Sequence, residues 1–184
     1  MYKDCNTEES ARRQRQLEQC LLELMATAPY AGISVGQICE LGGISRKSFY
    51  RYFDSKEGCL HALVDHAIMD VSSYCMADSA EDFSDPEFCA HIFEYWQQQT
   101  PLLDALDAND ITILLIRRII RYILTEEPDY ARYMGIPQNS LTEHIVFTVS
   151  GVMSLVLTWH HSGYTKTAAQ MGELLYQMIR QRKL

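Results

Sequence analysis

The stretch VGQICELGGISRKSFYRYF, residues 35–53, decides the fold of this chain. Ser34 precedes it and is a suitable helix N-cap, because a serine hydroxyl accepts a hydrogen bond from a backbone N–H of the first turn. Apolar residues then recur at helical spacing until Gly42 and Gly43 interrupt the pattern. Glycine reaches the left-handed backbone conformation that a tight turn between helices requires. The stretch therefore predicts two short helices joined by a glycine turn.

The second of these helices begins after Ser45 and has two different faces. Phe49 and Phe53 lie four residues apart and form an apolar pair, which predicts that their face is buried. The opposite face carries basic and aromatic side chains: Arg46, Lys47, Tyr50 and Arg51. A helix-turn-helix that leaves a basic helix free is the arrangement that places a recognition helix in the DNA major groove. We therefore predict DNA binding.

These residues and those that follow them resemble the amino-terminal domain of TetR/AcrR-type transcription regulators. The resemblance extends from about residue 17 to residue 63. It rests on these positions: Ser34, Val35, Ile38, Gly43, Ile44, Ser45, Phe49, Tyr50, Tyr52, Phe53, Lys56, Glu57 and Leu60. Cys39 and Gly42 stand where the family usually has alanine, and Lys47 stands where glycine is common. Because Lys47 adds positive charge to the recognition helix, the departure affects the expected operator sequence more than DNA binding itself.

The resemblance also implies which side chains contact DNA. At base edges we expect Arg46, Lys47 and Ser48. At phosphates we expect Ser34, Ser45, Tyr50, Tyr52 and Lys56, with Arg51 left undecided. Arginine can make two hydrogen bonds to guanine in the major groove and so selects a base, whereas phosphate contacts position the protein on any sequence.

Composition and charge are those of a globular protein in which only one part is suited to nucleic acid. The 184 residues are 47% hydrophobic and 22% charged, which excludes a disordered chain. The net charge is −8, but the first 60 residues carry equal numbers of basic and acidic side chains, so the excess of acid lies in the remainder. The first part is therefore predicted to contact phosphate, while the acidic remainder limits non-specific adhesion to nucleic acid.

Helical periodicity along the chain, with no strand pattern bounded by turns, predicts an all-α protein of about nine helices. Residues 1–54 are predicted to form a three-helix, helix-turn-helix DNA-binding domain, in which residues 1–6 are frayed. A helix over residues 55–76 connects it to residues 77–184, a helical domain predicted to bind an effector and to dimerise.

The last two helices are the predicted dimer interface. The first of them is expected to begin at Ser140, because Ser140 and Glu143 have the spacing of a capping box. Small side chains on this helix would let another helix approach closely: Ser150, Gly151 and Ser154. The resemblance implies a four-helix bundle across a twofold axis, and hence a homodimer whose two recognition helices read a palindromic operator in double-stranded DNA.

Large side chains of the second domain are candidates for an effector pocket between helices. They are Phe93, Tyr95, Trp96, Tyr122, Phe147, Met153 and Trp159. Residues of these types at helical spacing also form ordinary cores, so both interpretations stay open. The resemblance implies an effector that is small and largely apolar.

The sequence predicts no enzyme, no metal site and no cofactor. His61 and Asp65 lie four residues apart on one helix with His66 beside them, and His160 and His161 lie near a helix end, but no further ligand at a recognised spacing joins either group. Catalytic motifs such as G-x-S-x-G and H-E-x-x-H do not occur, nor does a phosphate-binding glycine loop.

Cysteine usage and hydropathy indicate a cytoplasmic protein that does not contact membranes. The six cysteines include no C-x-x-C pair, which predicts buried free thiols, with a thiol switch at Cys5 as the alternative. The first residues are polar and charged, unlike a signal peptide. The most apolar run, Ile145 to Trp159, has fifteen residues, fewer than the ~20 that a bilayer crossing requires.

The leading hypothesis is therefore a dimeric, sequence-specific transcription regulator, a repressor that leaves its operator when a small-molecule effector fills the second domain. The alternative hypothesis keeps the same DNA-binding domain but places the second domain under the control of a partner protein, with the regulator acting as an activator.

Overall fold

The computed structural model describes residues 1–3, 5–76, 85–126 and 136–180. Within these ranges the chain forms nine α-helices, and the pairing of extended backbone is limited to one isolated bridge, so the predicted all-α fold is confirmed. The helices are α1 (Glu8–Met25), α2 (Val35–Leu41), α3 (Arg46–Phe49), α4 (Lys56–Met76), α5 (Pro86–Gln98), α6 (Thr100–Asp107), α7 (Thr112–Glu126), α8 (Leu141–His161) and α9 (Ala168–Arg180). Two short 3-10 turns cover Tyr30–Gly32 and Gln138–Ser140. The sequence between Pro128 and Pro137 predicts an irregular segment with room for one helical turn at residues 129–134, and these six residues lie outside the described ranges.

The chain divides into two compact units. The first contains Met1–Ala67 and Asp104–Thr112, and the second contains Ile68–Leu103 and Ile113–Leu184. The sequence-based division placed residues 55–76 as a connecting helix and everything after them in one domain. In the structure the division falls within α4, and the segment between α6 and α7 joins the first unit.

A pair of hydrogen bonds from one side chain holds this late segment in the first unit. The Oδ1 atom of Asn109 accepts the backbone N–H of Tyr30 at 2.6 Å, and its Nδ2 donates to the carbonyl of Ala105 at 2.7 Å. Asn109 thus fastens the end of α6 to the 3-10 turn that precedes the helix-turn-helix. The two residues are 79 positions apart, which is why sequence patterns do not reveal the contact.

The helix-turn-helix forms as its sequence predicts. Ser34 caps α2 in a capping box with Gln37, and Ser45 caps α3 by accepting the N–H of Ser48. Gly43 adopts φ 63° between the two helices. Helix α3 is only four residues long, but the chain continues in turns to Phe53, whose N–H bonds to the carbonyl of Phe49 at 3.1 Å.

The aromatic pair of α3 is buried as predicted. Phe49 and Phe53 have no exposed surface, and their ring centroids are 5.0 Å apart. Both side chains join a core that also contains Leu17 and Leu21 of α1 and Ile38 of α2, each of them fully buried. Each phenylalanine contributes about 1.5–3 kcal/mol by leaving water. This burial determines which side of α3 faces outward.

The cysteines of the first unit are mostly part of this core. Cys20, Cys39 and Cys59 are buried, and burial raises the pKa of each thiol above its ordinary value. Protonated thiols are poor nucleophiles, so these three side chains act as small apolar residues. Cys5 is partly exposed, and its thiol donates to the Oε1 atom of Gln14 at 3.4 Å. The thiol switch suggested for Cys5 stays a prediction.

The first residues are not frayed, contrary to the sequence-based expectation. Tyr2 forms an antiparallel bridge with Phe53, and the N–H of Lys3 donates to the carbonyl of Tyr52 at 3.0 Å. Fraying was expected because nothing local in a short polar segment specifies structure. The partners that order it come from a segment about 50 residues later.

The second unit is built around the packing of α5 against α9. Asp85 caps α5 by accepting the N–H of Glu87, and Pro86 occupies its first turn. The helix buries one face that carries Cys89, Phe93 and Trp96. Helix α9 buries Met171 and Leu175.

The capping box predicted at Ser140 does not form. Ser140 ends a 3-10 turn, and its hydroxyl donates to the carbonyl of Pro137 at 3.1 Å instead of accepting an N–H of α8. The backbone conformation of Pro137 places the carbonyl of this proline within reach of the Ser140 hydroxyl. The helical stretch Gln138–His161 has 24 residues, and its most apolar 18-residue part has a mean hydropathy of 1.5, with 28% of that part buried. By length and composition alone it is long and apolar enough to cross a membrane.

Gly43 and Gly32 give a matched test of the turn. A Cβ atom would meet nothing within 4 Å at either position, but only Gly43 has a positive φ. Gly43→Ala should lower the free energy of unfolding by about 1–2 kcal/mol, because an L-residue is strained in the left-handed conformation. Gly32→Ala should change it by no more than about 0.5 kcal/mol. Urea unfolding followed by circular dichroism measures both, and equal values for the two variants would contradict the assigned turn.

Candidate DNA-binding surface

The predicted base-contacting residues lie together on the outward side of α3. Arg46 and Lys47 are exposed, and Ser48 is half-buried because its hydroxyl lies 3.1 Å from that of Ser45. In the turn that follows, Tyr50 is 48% exposed and Arg51 is exposed. The buried phenylalanine pair faces the core, so one short segment presents three cations and a tyrosine to the solvent.

Arg46 extends from α3 toward the start of α2. A Cβ atom at Gly36 would lie 2.8 Å from the Nη2 atom of Arg46, so the guanidinium occupies space that the missing side chain leaves open. The residue remains exposed and keeps its donors available to a ligand. The guanidinium of Arg46 therefore lies next to the N-terminus of α2.

The two serines predicted at phosphates serve as helix caps. The Ser34 hydroxyl accepts the N–H of Gln37 at 3.3 Å and donates to the Oε1 atom of the same residue at 2.8 Å. The Ser45 hydroxyl accepts the N–H of Ser48 at 3.1 Å. Both residues are exposed. A phosphate that bound Ser34 would compete with Gln37 for the serine proton. The Ser45 hydroxyl can instead accept the proton of the Ser48 hydroxyl and donate its own to a ligand. Tyr52 is half-buried and its carbonyl is taken by Lys3.

Lys56 has a role in this structure that the resemblance did not imply. Its ammonium donates to the carbonyls of Tyr30 at 2.6 Å and Ile33 at 2.7 Å, and it lies 4.2 Å from the centre of the Tyr30 ring. These contacts close the turn that leads into α2. The ammonium that was expected to reach a phosphate is thus occupied by the backbone, and the phosphate contact stays a prediction.

Tyr30 completes this small site. Burial, and after it the negative charge of Glu57, raise the pKa of Tyr30 well above its ordinary value. The phenol therefore stays neutral at physiological pH and presents an uncharged aromatic face to the Lys56 ammonium. The sequence did not predict the contacts that Tyr30 and Asn109 make at this site, because their partners are distant in sequence.

The candidate effector residues of the second unit are mostly core. Phe93 and Trp159 contact each other edge to face at 5.5 Å, and Tyr95 and Trp96 do so at 5.4 Å. These four side chains and Met153 are at most 5% exposed. Tyr122 is half-buried. The ordinary-core interpretation accounts for the five buried residues without a ligand.

Phe147 differs from the other candidates. It is 59% exposed on the outer face of α8, so it is better placed to contact a second molecule than to line an internal pocket. An open groove of about 480 Å³ lies at the start of α9, lined by Lys166, Ala169, Gln170, Glu173 and Leu174. None of the candidate effector residues lines this groove.

The histidine groups considered for metal binding have other partners. The Nδ1 atom of His66 lies 2.9 Å from the Oε2 atom of Glu18 on α1, and Asp65 accepts the hydroxyl of Tyr2 at 2.9 Å. The Nδ1 atom of His160 lies 2.8 Å from the hydroxyl of Tyr164. No group of three metal-ligating side chains occurs in the part of the chain that the structure describes.

Comparison with known proteins supports the DNA-binding interpretation of the first unit. Residues 21–63 match the family of bacterial regulatory proteins of the TetR type. The matched segment includes the end of α1, the whole helix-turn-helix and the first turns of α4. A comparison with curated protein sequences finds no match.

Three solved structures are similar to the chain over most of their length. A TetR transcriptional regulator from Streptococcus agalactiae has a TM-score of 0.64 and 18% identity, covering 92% of this chain and 94% of that chain. The fatty acid degradation regulator FadR from Bacillus halodurans has a TM-score of 0.60 and 15% identity, covering 96% of each chain. The dihydroxyacetone kinase operon activator DhaS has a TM-score of 0.58 and 12% identity, covering 92% and 95%. At these identities the likeness is one of fold.

A pair of lysine substitutions separates the two roles considered for Lys56. Lys56→Met keeps the apolar stem but leaves the carbonyl of Ile33 without its donor and removes one of the two donors to the carbonyl of Tyr30, so it should lower the free energy of unfolding by about 1–3 kcal/mol. Lys47→Met removes an exposed ammonium and should leave stability unchanged within about 0.5 kcal/mol. Guanidinium unfolding measures both. If Lys56→Met is as stable as the wild type but binds every DNA sequence more weakly, Lys56 contacts phosphate and the structural role is wrong.

Proposed function

We propose that this protein is a dimeric transcriptional repressor released from a palindromic operator by a small-molecule effector, because residues 21–63 match the TetR family of bacterial regulatory proteins and the chain is similar in fold to a TetR transcriptional regulator. The observation that carries the proposal is the surface of α3, where Arg46, Lys47 and Arg51 are exposed opposite the fully buried Phe49 and Phe53. A short helix that packs one face against the core and exposes its basic side chains is suited to the major groove.

Dimerisation through α8 and α9 is supported by exposed apolar side chains on both helices. On α8, Val146 is 42% and Phe147 is 59% exposed, and a Cβ atom at Gly151 would meet nothing within 4 Å. On α9, Leu174 is 36% and Met178 is 45% exposed. Large apolar side chains cluster on the surface where a partner covers them. A second copy of the chain is the partner that a palindromic operator requires.

This interface also accounts for the apolar character of α8. By length and composition the helix could span a membrane, and only 28% of its most apolar part is buried within one chain. In a four-helix bundle of two α8 and two α9 helices, the remaining apolar surface is covered by protein. A cytoplasmic dimer is therefore the proposed state.

The second unit is proposed to receive the regulatory signal. In the leading hypothesis a small, largely apolar effector binds there and favours a conformation in which the two recognition helices no longer match the operator. The alternative hypothesis is that a partner protein controls the second unit and that the chain activates transcription; one similar structure, DhaS, is described as an operon activator, which is consistent with activation. A metabolite retained in native mass spectrometry supports the first hypothesis, and a second polypeptide that binds the second unit supports the alternative.

The function is tested by DNase I footprinting of the purified protein on DNA upstream of its own gene. A protected, palindromic site is expected, with equal protection of its two halves. Selection of binding sequences from a random duplex pool then defines the operator independently of its genomic position. Failure to select any sequence in the absence of an effector would contradict the proposal.

Arg46 is expected to select a base within the operator. Arg46→Ala should cost about 1–3 kcal/mol of binding to the selected operator and should relax the preference at one position of each half-site, because a two-bond contact to guanine is lost. Arg117→Ala removes an exposed cation of α7 in the second unit and is the control. Fluorescence anisotropy with operator duplexes substituted at each position gives both quantities. Uniform weakening at all positions would indicate that Arg46 contacts phosphate only.

Phe147 is expected to anchor the dimer. Phe147→Glu should raise the dimer dissociation constant roughly 30-fold or more, since an interfacial aromatic anchor contributes about 2 kcal/mol or more. Ile113→Glu is the matched control, because Ile113 is 53% exposed but lies on α7. Sedimentation velocity over a dilution series measures the dissociation constant. A Phe147→Glu protein that dissociates no more readily than the Ile113→Glu control would contradict the proposed interface.

A further inference from the structure

The first three residues form a strap across the end of the helix-turn-helix. Backbone hydrogen bonds join Lys3 to the carbonyl of Tyr52 and the carbonyl of Met1 to the N–H of Asp54, each at 3.0 Å. Between them, Tyr2 pairs with Phe53 in an isolated antiparallel bridge. We call residues 1–3 the amino-terminal strap.

Side chains from two helices hold the strap in place. The hydroxyl of Tyr2 donates to the Oδ2 atom of Asp65 on α4 at 2.9 Å. The carbonyl of Lys3 accepts the Nε2 group of Gln14 on α1 at 3.0 Å, and Gln14 is only 3% exposed. The strap is therefore connected to α1, to α4 and to the segment that follows α3, all within the first unit.

Gly58 in the first turn of α4 makes room for the strap. A Cβ atom at this position would lie 2.5 Å from the carbonyl oxygen of Met1 and 3.1 Å from its carbonyl carbon. Backbone atoms cannot move aside as a flexible side chain can. Glycine stabilises a helix less than alanine does. The glycine at position 58 therefore makes α4 less stable but allows the strap to approach closely.

The strap places the ammonium of Lys3 beside the predicted DNA-binding surface. The Lys3 ammonium donates to the carbonyl of Tyr50 at 3.0 Å, at the end of α3. The carboxylate of Asp54 is 3.8 Å from this ammonium, and both side chains are more than half exposed. An ammonium has three donors, so Lys3 can donate to a phosphate oxygen and keep its bond to Tyr50. Lys3 also offsets the negative charge of Asp54, which would repel a DNA phosphate.

We propose that the amino-terminal strap is part of the DNA-binding surface: it holds the turn at residues 50–54 in position, and Lys3 donates to a backbone phosphate next to Tyr50. The inference rests on the proposed DNA-binding function and adds to it a contact from outside the helix-turn-helix. Because a phosphate contact carries no base information, Lys3 contributes equally on every sequence. A duplex of mixed sequence is therefore a sufficient probe.

Lys3→Ala tests the cation without removing the strap backbone. Binding to a fluorescein-labelled duplex of mixed sequence is measured by anisotropy between about 50 and 200 mM salt. The slope of log affinity against log salt should become shallower by about 0.9 per protomer. Between the two salt concentrations, the affinity of the wild type should therefore fall by a factor about 3.5 times larger, per protomer, than the affinity of the variant. Lys3→Arg should keep the wild-type slope, and so should Arg117→Ala.

Gly58→Ala tests the strap itself. The added methyl group should displace residues 1–3 while leaving Lys3 in the chain and the α3 sequence unchanged. Its salt slope should fall to that of Lys3→Ala. The double variant Lys3→Ala/Gly58→Ala should show the same slope as Gly58→Ala alone, because a cation that has already left the surface cannot be lost twice.

The possible outcomes separate this inference from the function on which it rests. A shallower slope in Lys3→Ala that Lys3→Arg restores supports the phosphate contact, whether or not Gly58→Ala folds. An unchanged slope in Lys3→Ala, with normal wild-type binding, overturns it and leaves the strap a purely structural feature. If the wild type binds no duplex even at about 50 mM salt, the proposed function fails and the inference fails with it.

Discussion

The burial of Phe49 and Phe53 is the interaction on which the rest of the DNA-binding surface depends. A four-residue helix such as α3 has no stability of its own, because helix nucleation is unfavourable and few backbone bonds follow it. Its position comes from two fully buried rings that contribute about 1.5–3 kcal/mol each. With these rings inward, Arg46 and Lys47 can only point outward. The same burial sets the position of Tyr50 and of the turn that the amino-terminal strap covers.

The entry to the helix-turn-helix is held by polar contacts from distant parts of the chain. Lys56 satisfies the carbonyls of Tyr30 and Ile33, and Asn109 satisfies the N–H of Tyr30. Backbone groups in a partly buried turn need such partners, since an unsatisfied one costs about 1–3 kcal/mol. Helix α4 and the end of α6 thereby help to position α2. These side-chain hydrogen bonds therefore hold the turn before α2 in place.

Local features were the most predictable from sequence. The caps at Ser34 and Ser45 and the turn at Gly43 form as expected, because each involves groups within three or four residues of one another. The capping box at Ser140 is the exception. Its motif is present, but Pro137 offers a competing acceptor that a spacing rule does not consider. Motifs therefore predict well where no neighbour competes for the same hydroxyl.

The sequence by itself determined the helical class, the position of the helix-turn-helix and the separation of basic from apolar residues on α3, because all three follow from the periodicity of side chains along a helix. Only the tertiary structure decided that Lys56 binds a turn, that Lys3 lies beside Tyr50 and that Phe147 faces outward. These positions depend on contacts between residues far apart in the chain or on which side of a helix its neighbours cover. Neither is encoded in local spacing, since a side chain's partners exist only once the helices have packed.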